Sequence, residues 1–343
     1  MKKKPLVLLA TLLAISLTAC AQPTATPAAS PSADAGLPGA GKTYAVIMSL
    51  GQLEFFDALK AGVNDASNQL GAKWYFAGPQ EFVPDQIAQA IDQAVASKVD
   101  GIILHGQAAE TGASVDKAIA AGVPVIVVNT DIPSKRLSFL GVNPYQAGFD
   151  MGTNMAELVK GKTGSIIVSS ALANGQPSAL ENLRGTKDAL KTVQGIKVIE
   201  VDDTADSNVA ATNIGAALQA NKDVIGIIGQ QAYTAVGAAT AVREAGKQGQ
   251  IVIIGRDRDA ATLELLKSGE IAASYAQNSY VEGYIATMWL NQYAGGKLKV
   301  VNDYLKAGIN PLPKVVDSGS IVITKDNADQ FKAKYSYEVT AQR

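Results

Sequence analysis

Among its 343 residues the chain has one histidine, His105, and one cysteine, Cys20. Histidine-rich metal centres and Ser–His–Asp triads both need positioned imidazoles, so this composition argues against either. A single cysteine forbids an intrachain disulfide. No Gly-x-Ser-x-Gly element, His-Glu-x-x-His motif or cysteine pair occurs, and neither an enzyme activity nor a cofactor is expected. Asp202, Asp203 and Asp206 cluster ahead of a helical stretch. Such a group either holds a cation or forms a solvated loop with a helix cap, and the cap is favoured because Asp is a preferred N-terminal capping residue. Gly36-Leu37-Pro38-Gly39-Ala40-Gly41-Lys42-Thr43 formally fits the phosphate-cradling pattern G-x-x-x-x-G-K-[ST]. That loop functions only where its amides open a helix. Here the strand-like run Tyr44–Met48 follows, so nucleotide binding is not expected.

The other polar residues of interest stand at the ends of apolar runs. His105 follows Ile102–Leu104, Gln231 follows Val224–Ile228, and Asp257 follows Ile251–Ile254. These runs, together with Tyr44–Met48, Val123–Val128 and Ile166–Val168, are β-branched and nearly continuous, as parallel strands covered on both faces should be. Between them apolar residues recur three or four apart: Phe56, Leu59, Val63, Ala66 and Leu70, then Ile87, Ile91 and Val95, the signature of amphipathic helices. Gly71, Gly122, Gly246 and Gly269 stand where helices should stop. The βαβαβ rhythm of a doubly wound sheet runs once over 43–142 and again over 164–276. The length suits two such units better than one core. The remainder holds a helical stretch Ser279–Ala294, a strand Ile321–Ile323 and an expected helix near Asp326–Lys334. This leftover must complete one or both units, so crossovers between them are expected.

The sequence has 30 basic and 31 acidic residues, and charged residues make up only 18%. That balance argues against a nucleic-acid partner, whose phosphates call for a basic face. Lys2, Lys3 and Lys4 precede the apolar stretch Leu6–Leu17, too short to span a bilayer but suited to a signal peptide. It ends in Leu17-Thr18-Ala19-Cys20, which resembles the bacterial lipoprotein signal, cut before a cysteine that is then lipidated. Residues 1–19 are read as that signal, and 20–42 as the lipidated Cys20 with a spacer rich in Pro, Ala, Ser and Thr. A spacer of this composition cannot bury enough apolar surface to offset its ordering entropy. Removing the three lysines leaves 27 basic against 31 acidic groups, a net charge of −4.

Five segments in order resemble the periplasmic sugar-binding proteins of ABC importers, in their ribose/galactose-type branch. They are Glu54-Phe55-Phe56, Gly122–Asn129, Gly226–Gln231, Ile253–Asp257 and Ala273–Gln277. The resemblance covers about 43–335 and implies an α/β fold of two doubly wound parallel-sheet lobes joined by a multi-strand hinge, the type I periplasmic binding protein fold. The implied lobes are 43–142 with 278–317, and 143–277 with 318–343, with hinges near Val142/Asn143, Gln277/Asn278 and Asp317. In such proteins aromatic rings stack on a sugar's apolar faces while carboxylates, amides and guanidinium groups pair with its hydroxyls. Phe55 and Phe56 are then the stackers, one facing the cleft and one the core. Asp257 accepts from hydroxyls or else caps a helix, and Gln231 and Gln277 contribute amides or satisfy local backbone. His105 touches the cleft rim or is a hydrogen-bonded core residue.

The chain departs from the pattern at Leu53, at Asn129-Thr130-Asp131, at Asn182 (with Arg184 off position), and at Arg256, followed by Arg258. A strict ribose site is therefore not expected, and Asn129, Asp131, Asn182 and Arg256 are the candidates for altered polar contacts. The implied function is that of a lipid-anchored, monomeric receptor on the outer face of the membrane. It would capture a monosaccharide or polyol by hinge closure and deliver it to an ABC permease. Tyr75-Phe76-Ala77-Gly78-Pro79 resembles receptors that pass a sugar-like, autoinducer-type signal to a membrane kinase, which is the alternative reading.

Overall fold

In the computed structural model the described residues are 36–51, 54–173, 175–204, 206–331 and 341–342. Cys20 and the first part of the spacer lie outside them. The elements begin β1 Thr43–Ile47, α1 Asp57–Leu70, β2 Lys73–Ala77, α2 Pro84–Ala96, β3 Gly101–His105, α3 Gly112–Ala120, β4 Val125–Val128 and β5 Ser138–Gly141. They continue with α4 Pro144–Leu158, β6 Gly164–Ser170, α5 Pro177–Leu190, β7 Ile196–Asp202, α6 Ser207–Ala220, β8 Val224–Gly229, α7 Thr234–Glu244, β9 Val252–Arg256, α8 Ala260–Ser268 and β10 Ala273–Gln277. The last are α9 Ser279–Ala294, α10 Tyr304–Ala307, β11 Val315–Asp317, β12 Ser320–Ile323 and β13 Ala341–Gln342.

Two sheets result, in the orders β11-β5-β4-β3-β1-β2-β13 and β12-β10-β9-β8-β6-β7. Every pairing is parallel except β10 with β12. Continuous apolar strands make this arrangement possible, because alternate residues feed the cores on opposite faces. Tyr44, Val46 and Met48 pack into one core of the first sheet, while Ala45 and Ile47 pack into the other. In the second sheet Ile167, Ile227 and Ile253 face one layer, and Ile166, Ile228 and Ile254 the opposite layer.

The C-terminal segment departs from expectation in two ways. Strand β13 pairs with β2 of the first sheet rather than completing the second lobe. Only a single 3-10 turn, Ala328–Gln330, stands among the described residues of the expected helix near Asp326–Lys334. Nor is the spacer free up to residue 42. Residues 36–41 form turns, and the Gly39 amide donates to Leu70 O at 2.8 Å, docking them on the end of α1. Lys42 and Thr43 then lead into β1 with no helix behind the glycines, the wrong local geometry for a phosphate cradle.

The chain passes between the sheets four times: after β5, after β10, after β11 and, on the way to β13, after β12. Side chains stitch the first three passages together. Asp317 Oδ1 accepts from the Asn143 amide at 3.0 Å and the Gly319 amide at 2.9 Å. The Ser318 hydroxyl donates to Glu282 Oε1 at 2.7 Å. Glu282 is fully buried, and burial pushes its carboxyl up to about 7.

Helix α9, which follows the second passage, packs on α1 of the first lobe at very close range. A Cβ added at Gly62 would lie 2.0 Å from Tyr280 O, and one at Gly283 would lie 2.2 Å from Leu59 O. Backbone cannot yield as a flexible side chain does, so these glycines permit the approach. Gly62→Ala is therefore expected to destabilise the protein by about 1–3 kcal/mol in urea unfolding. An unchanged midpoint would show that the two helices can separate freely.

Candidate functional site

Parallel sheets covered on both faces leave the carboxyl ends of their strands as the place where polar groups converge. Asn129 directly follows β4, Asp257 directly follows β9, and Tyr233 lies just past β8. All three hold left-handed backbone, with φ of 67°, 66° and 67°. Non-glycine residues adopt that conformation at a cost of about 1–3 kcal/mol, and it clusters at functional sites.

A cleft enclosing about 470 Å³, part of it open to solvent, is lined by Phe55, Ala232, Tyr233, Asp257, Arg258, Asp259, Ala276, Gln277 and Ser279. Phe55 comes from the 3-10 turn ahead of α1 in the first lobe, and Ser279 opens α9, which packs on that lobe. Residues 232–233, 257–259 and 276–277 come from the second lobe. The two aromatic side chains of the lining, Phe55 and Tyr233, thus stand on opposite lobes.

The paired phenylalanines divide their roles. Phe55 lines the cleft, while Phe56 is 1% exposed and sits in the core of the first sheet. Their rings meet edge to face at 5.2 Å, and Phe56 in turn meets the His105 ring at 4.7 Å. Asp257 is 9% exposed, and its Oδ1 has no hydrogen-bond partner. Burial raises its carboxyl to about 6, with Arg256 opposing, Asp259 adding to the rise and Arg258 opposing. The cap of α8 is Asp259, whose Oδ1 accepts from the Thr262 amide at 3.0 Å. Asp257 is therefore not needed as a cap. Gln277 lines the cleft and accepts at Oε1 from Asn129 Nδ2 at 2.7 Å, which places Asn129 one bond behind the cleft wall.

The remaining candidates lie apart from the lining. Asp131 is held by Arg136 in a two-pronged ion pair, while Arg136 also donates to Lys314 O at 3.0 Å. It ties the loop after β4 to the segment before β11 instead of reaching the cleft. Asn182 is buried against Gly148 where α5 crosses α4, with its Oδ1 unpartnered. Gln231 donates to Ser170 Oγ at 3.4 Å, beside the lining residues 232–233. Arg256 is not in the lining, where Arg258 stands in its stead.

Of the acidic cluster, Asp206 caps α6 through the Asn208 and Val209 amides. Asp203 is not solvated but fully buried, accepting from Ser169 Oγ at 3.0 Å and Thr234 Oγ1 at 2.8 Å. No grouping of residues suited to a metal ion is present among the described residues.

The sequence patterns missed Tyr233, Arg258, Asp259 and Ser279. The signal that could have located Tyr233 was its place between a strand end and a helix start, the same position that singled out Asp257.

A family model for the periplasmic binding protein domain matches residues 44–298. The chain belongs to that family. The ribose import binding protein of Bacillus subtilis is 22% identical over 267 residues, spanning 76% of this chain and 84% of the relative. The D-allose-binding periplasmic protein of Escherichia coli is 24% identical, spanning 70% of this chain and 80% of the relative. Among solved structures, the sugar-binding protein of a sugar ABC transporter from Bacillus halodurans superposes with a TM-score of 0.79 at 29% identity, covering 85% of this chain and all 100% of that one. The arabinose-binding protein of Geobacillus stearothermophilus gives 0.78 at 27% identity, covering 85% and 99%. The fold is thus the type I periplasmic binding protein fold. The family is extracytoplasmic, and no helix among the described residues is long and apolar enough to cross a membrane.

The raised Asp257 carboxyl makes a pH prediction for the unliganded protein. A carboxyl whose folded value exceeds its unfolded one contributes stability that is complete below the unfolded value, near 3.8, and is lost as pH rises through about 6. Asp257→Asn, which keeps a residue tolerant of the left-handed backbone, escapes that loss. Relative to wild type, the variant should gain on the order of 2–3 kcal/mol between pH 4 and pH 7.5 in urea unfolding. A difference independent of pH would show that the carboxyl is not desolvated.

Proposed function

We propose that the chain is a lipid-anchored receptor that captures a monosaccharide or polyol between its lobes and hands it to an ABC permease. The observation that carries this reading is the cleft itself. Two aromatic rings from opposite lobes flank a nearly buried carboxylate whose Oδ1 lacks a partner, with the Gln277 amide beside them. A sugar presents apolar C–H faces to rings and hydroxyls to acceptors and donors, which is the complement of this set. An unpartnered buried carboxylate oxygen is unfavourable, and a ligand hydroxyl donating to it removes the penalty while gaining a charge-assisted hydrogen bond. With Asp257 and Asp259 against Arg258, the lining carries an excess of acid, which disfavours an anionic ligand.

In this reading residues 43–142 with 278–317, and 143–277 with 318–331, are the two halves of a clamp. The passages between the lobes bend while the glycine-mediated helix contact stays rigid. Closure brings Phe55 toward Tyr233, excludes water from Asp257 and creates the closed surface that a permease recognises. Cys20 carries the lipid, and the Pro- and Ala-rich spacer lets the body reach the permease from its anchor.

A thermal-shift screen of the mature chain against pentoses, hexoses, polyols and inositols tests this directly. A ligand at one hundred times its Kd adds about 2.7 kcal/mol of stability. Against the best ligand, Phe55→Ala and Tyr233→Ala should each lose about tenfold in affinity, and Asp257→Ala about tenfold to a hundredfold. Turnover of a bound sugar, or no stabilisation by any of these compounds, would overturn the receptor reading. A disulfide placed across the cleft mouth should abolish uptake in cells and restore it on reduction. Uptake indifferent to the oxidised bridge would rule out closure.

A further inference from the structure

His105 is 5% exposed at the end of β3, and both of its ring nitrogens are engaged. Nδ1 lies 2.6 Å from Ser49 Oγ, and Nε2 lies 3.0 Å from Asn129 Oδ1. Asn129 Nδ2 then meets Gln277 Oε1 at 2.7 Å. Four side chains thus form one hydrogen-bonded line, from just past β1 in the first lobe to the end of β10, where Gln277 faces the cleft. Burial holds the imidazole well below its usual range, at about 4, so it is neutral near pH 7.

A neutral imidazole has one donor and one acceptor nitrogen, and a primary amide has a donor end and an acceptor end. The line therefore has two self-consistent directions. In the first, the Ser49 hydroxyl donates to Nδ1, Nε2–H donates to Asn129 Oδ1, and Asn129 Nδ2 donates to Gln277 Oε1. Gln277 is left with its amino group for the cleft. In the second every role is exchanged, and Gln277 turns its carbonyl oxygen to the cleft instead.

The two directions differ at Ser49. This residue is 1% exposed, and its hydroxyl has no other acceptor among the described residues. The second direction would strand that buried donor, which is strongly unfavourable. Thr130 Oγ1 lies 3.1 Å from Asn129 Oδ1, and its hydroxyl can donate to an oxygen or accept from a nitrogen there, so it fits either direction. The buried Ser49 hydroxyl therefore selects the first direction.

We propose that Ser49 and His105 are positioning residues that set the direction of this line, so that Gln277 offers the cleft a hydrogen-bond donor and selects a ligand carrying an acceptor oxygen there. With Asp257 accepting, the cleft then reads one donor and one acceptor on the ligand, as a hydroxyl beside a ring oxygen provides. The inference rests on the receptor reading and deepens it.

Because the chain has a single histidine, nitrogen-15 histidine labelling reports one imidazole. Long-range proton–nitrogen spectra of the unliganded mature chain should show the neutral Nε2–H tautomer, unchanged from pH 5 to 8. An Nδ1–H tautomer, or a titration near the ordinary value of about 6.5, overturns the proposal. Ser49→Ala should admit the Nδ1–H tautomer and weaken D-ribose or D-arabinose binding in calorimetry by about three- to tenfold. Ser49→Thr, which keeps the hydroxyl, should preserve both tautomer and affinity. Equal losses in the two variants, or full affinity in Ser49→Ala after its tautomer has changed, would assign these residues to packing alone and sink the proposal. If neither sugar binds wild type, the affinity comparison is made with the best ligand of the thermal-shift screen, while the tautomer spectrum still decides the direction of the line.

Discussion

Covering a parallel sheet on both faces is the constraint from which the rest of this molecule follows. Each strand must be apolar along its length, since alternate residues enter two different cores. Polar side chains are then pushed to the strand ends, and in a parallel sheet the carboxyl ends all lie along one edge. Asn129, Gln231, Asp257 and Gln277 stand on such ends for this reason. The left-handed backbone at Asn129, Tyr233 and Asp257 shows the same edge carrying conformational strain that the cores beneath it sustain.

A second consequence concerns the passages between lobes. Two sheets completed by one chain that returns between them need several connections, and these restrict how the sheets can move relative to each other. Asp317 and the Glu282–Ser318 pair tie together the passages after β5, β10 and β11. Gly62 and Gly283 fasten α9 to the first lobe immediately after the second passage. A helix packed this closely cannot slide over α1 without a backbone clash.

The cleft holds destabilising features that the body must offset. Asp257 is desolvated with one oxygen unpartnered, Tyr233 is a strained and exposed aromatic, and the polar line through His105 crosses an otherwise apolar interior. A protein selected only for stability would have none of these. Asp257 Oδ1 in particular is what a receptor needs: a group left unsatisfied until a ligand satisfies it.

Much of the architecture was legible in the residues alone. Uninterrupted β-branched runs can be buried on both faces only in a covered parallel sheet, and helix Ser279–Ala294 was readable to its ends because its sequence neighbours break the helix. The division between Phe55 and Phe56 was legible as a pair but not by member. Sequence spacing put both on one turn, and only packing against His105 and the first sheet shows which faces inward. Asp131 and Arg256 had the right chemistry, yet Arg136 captures one and Arg258 takes the other's place in the lining, through contacts that local spacing does not encode. The pairing of β13 with β2, the burial of Asp203 and the line from Ser49 to Gln277 all join residues far apart in the chain. Periodicity and end signals are local, so the sequence by itself determined the elements, their order and the edge where function would gather. Partner choice among groups distant in the chain is a matter of three-dimensional proximity, and only the tertiary structure decided which side chains meet there and which are already taken.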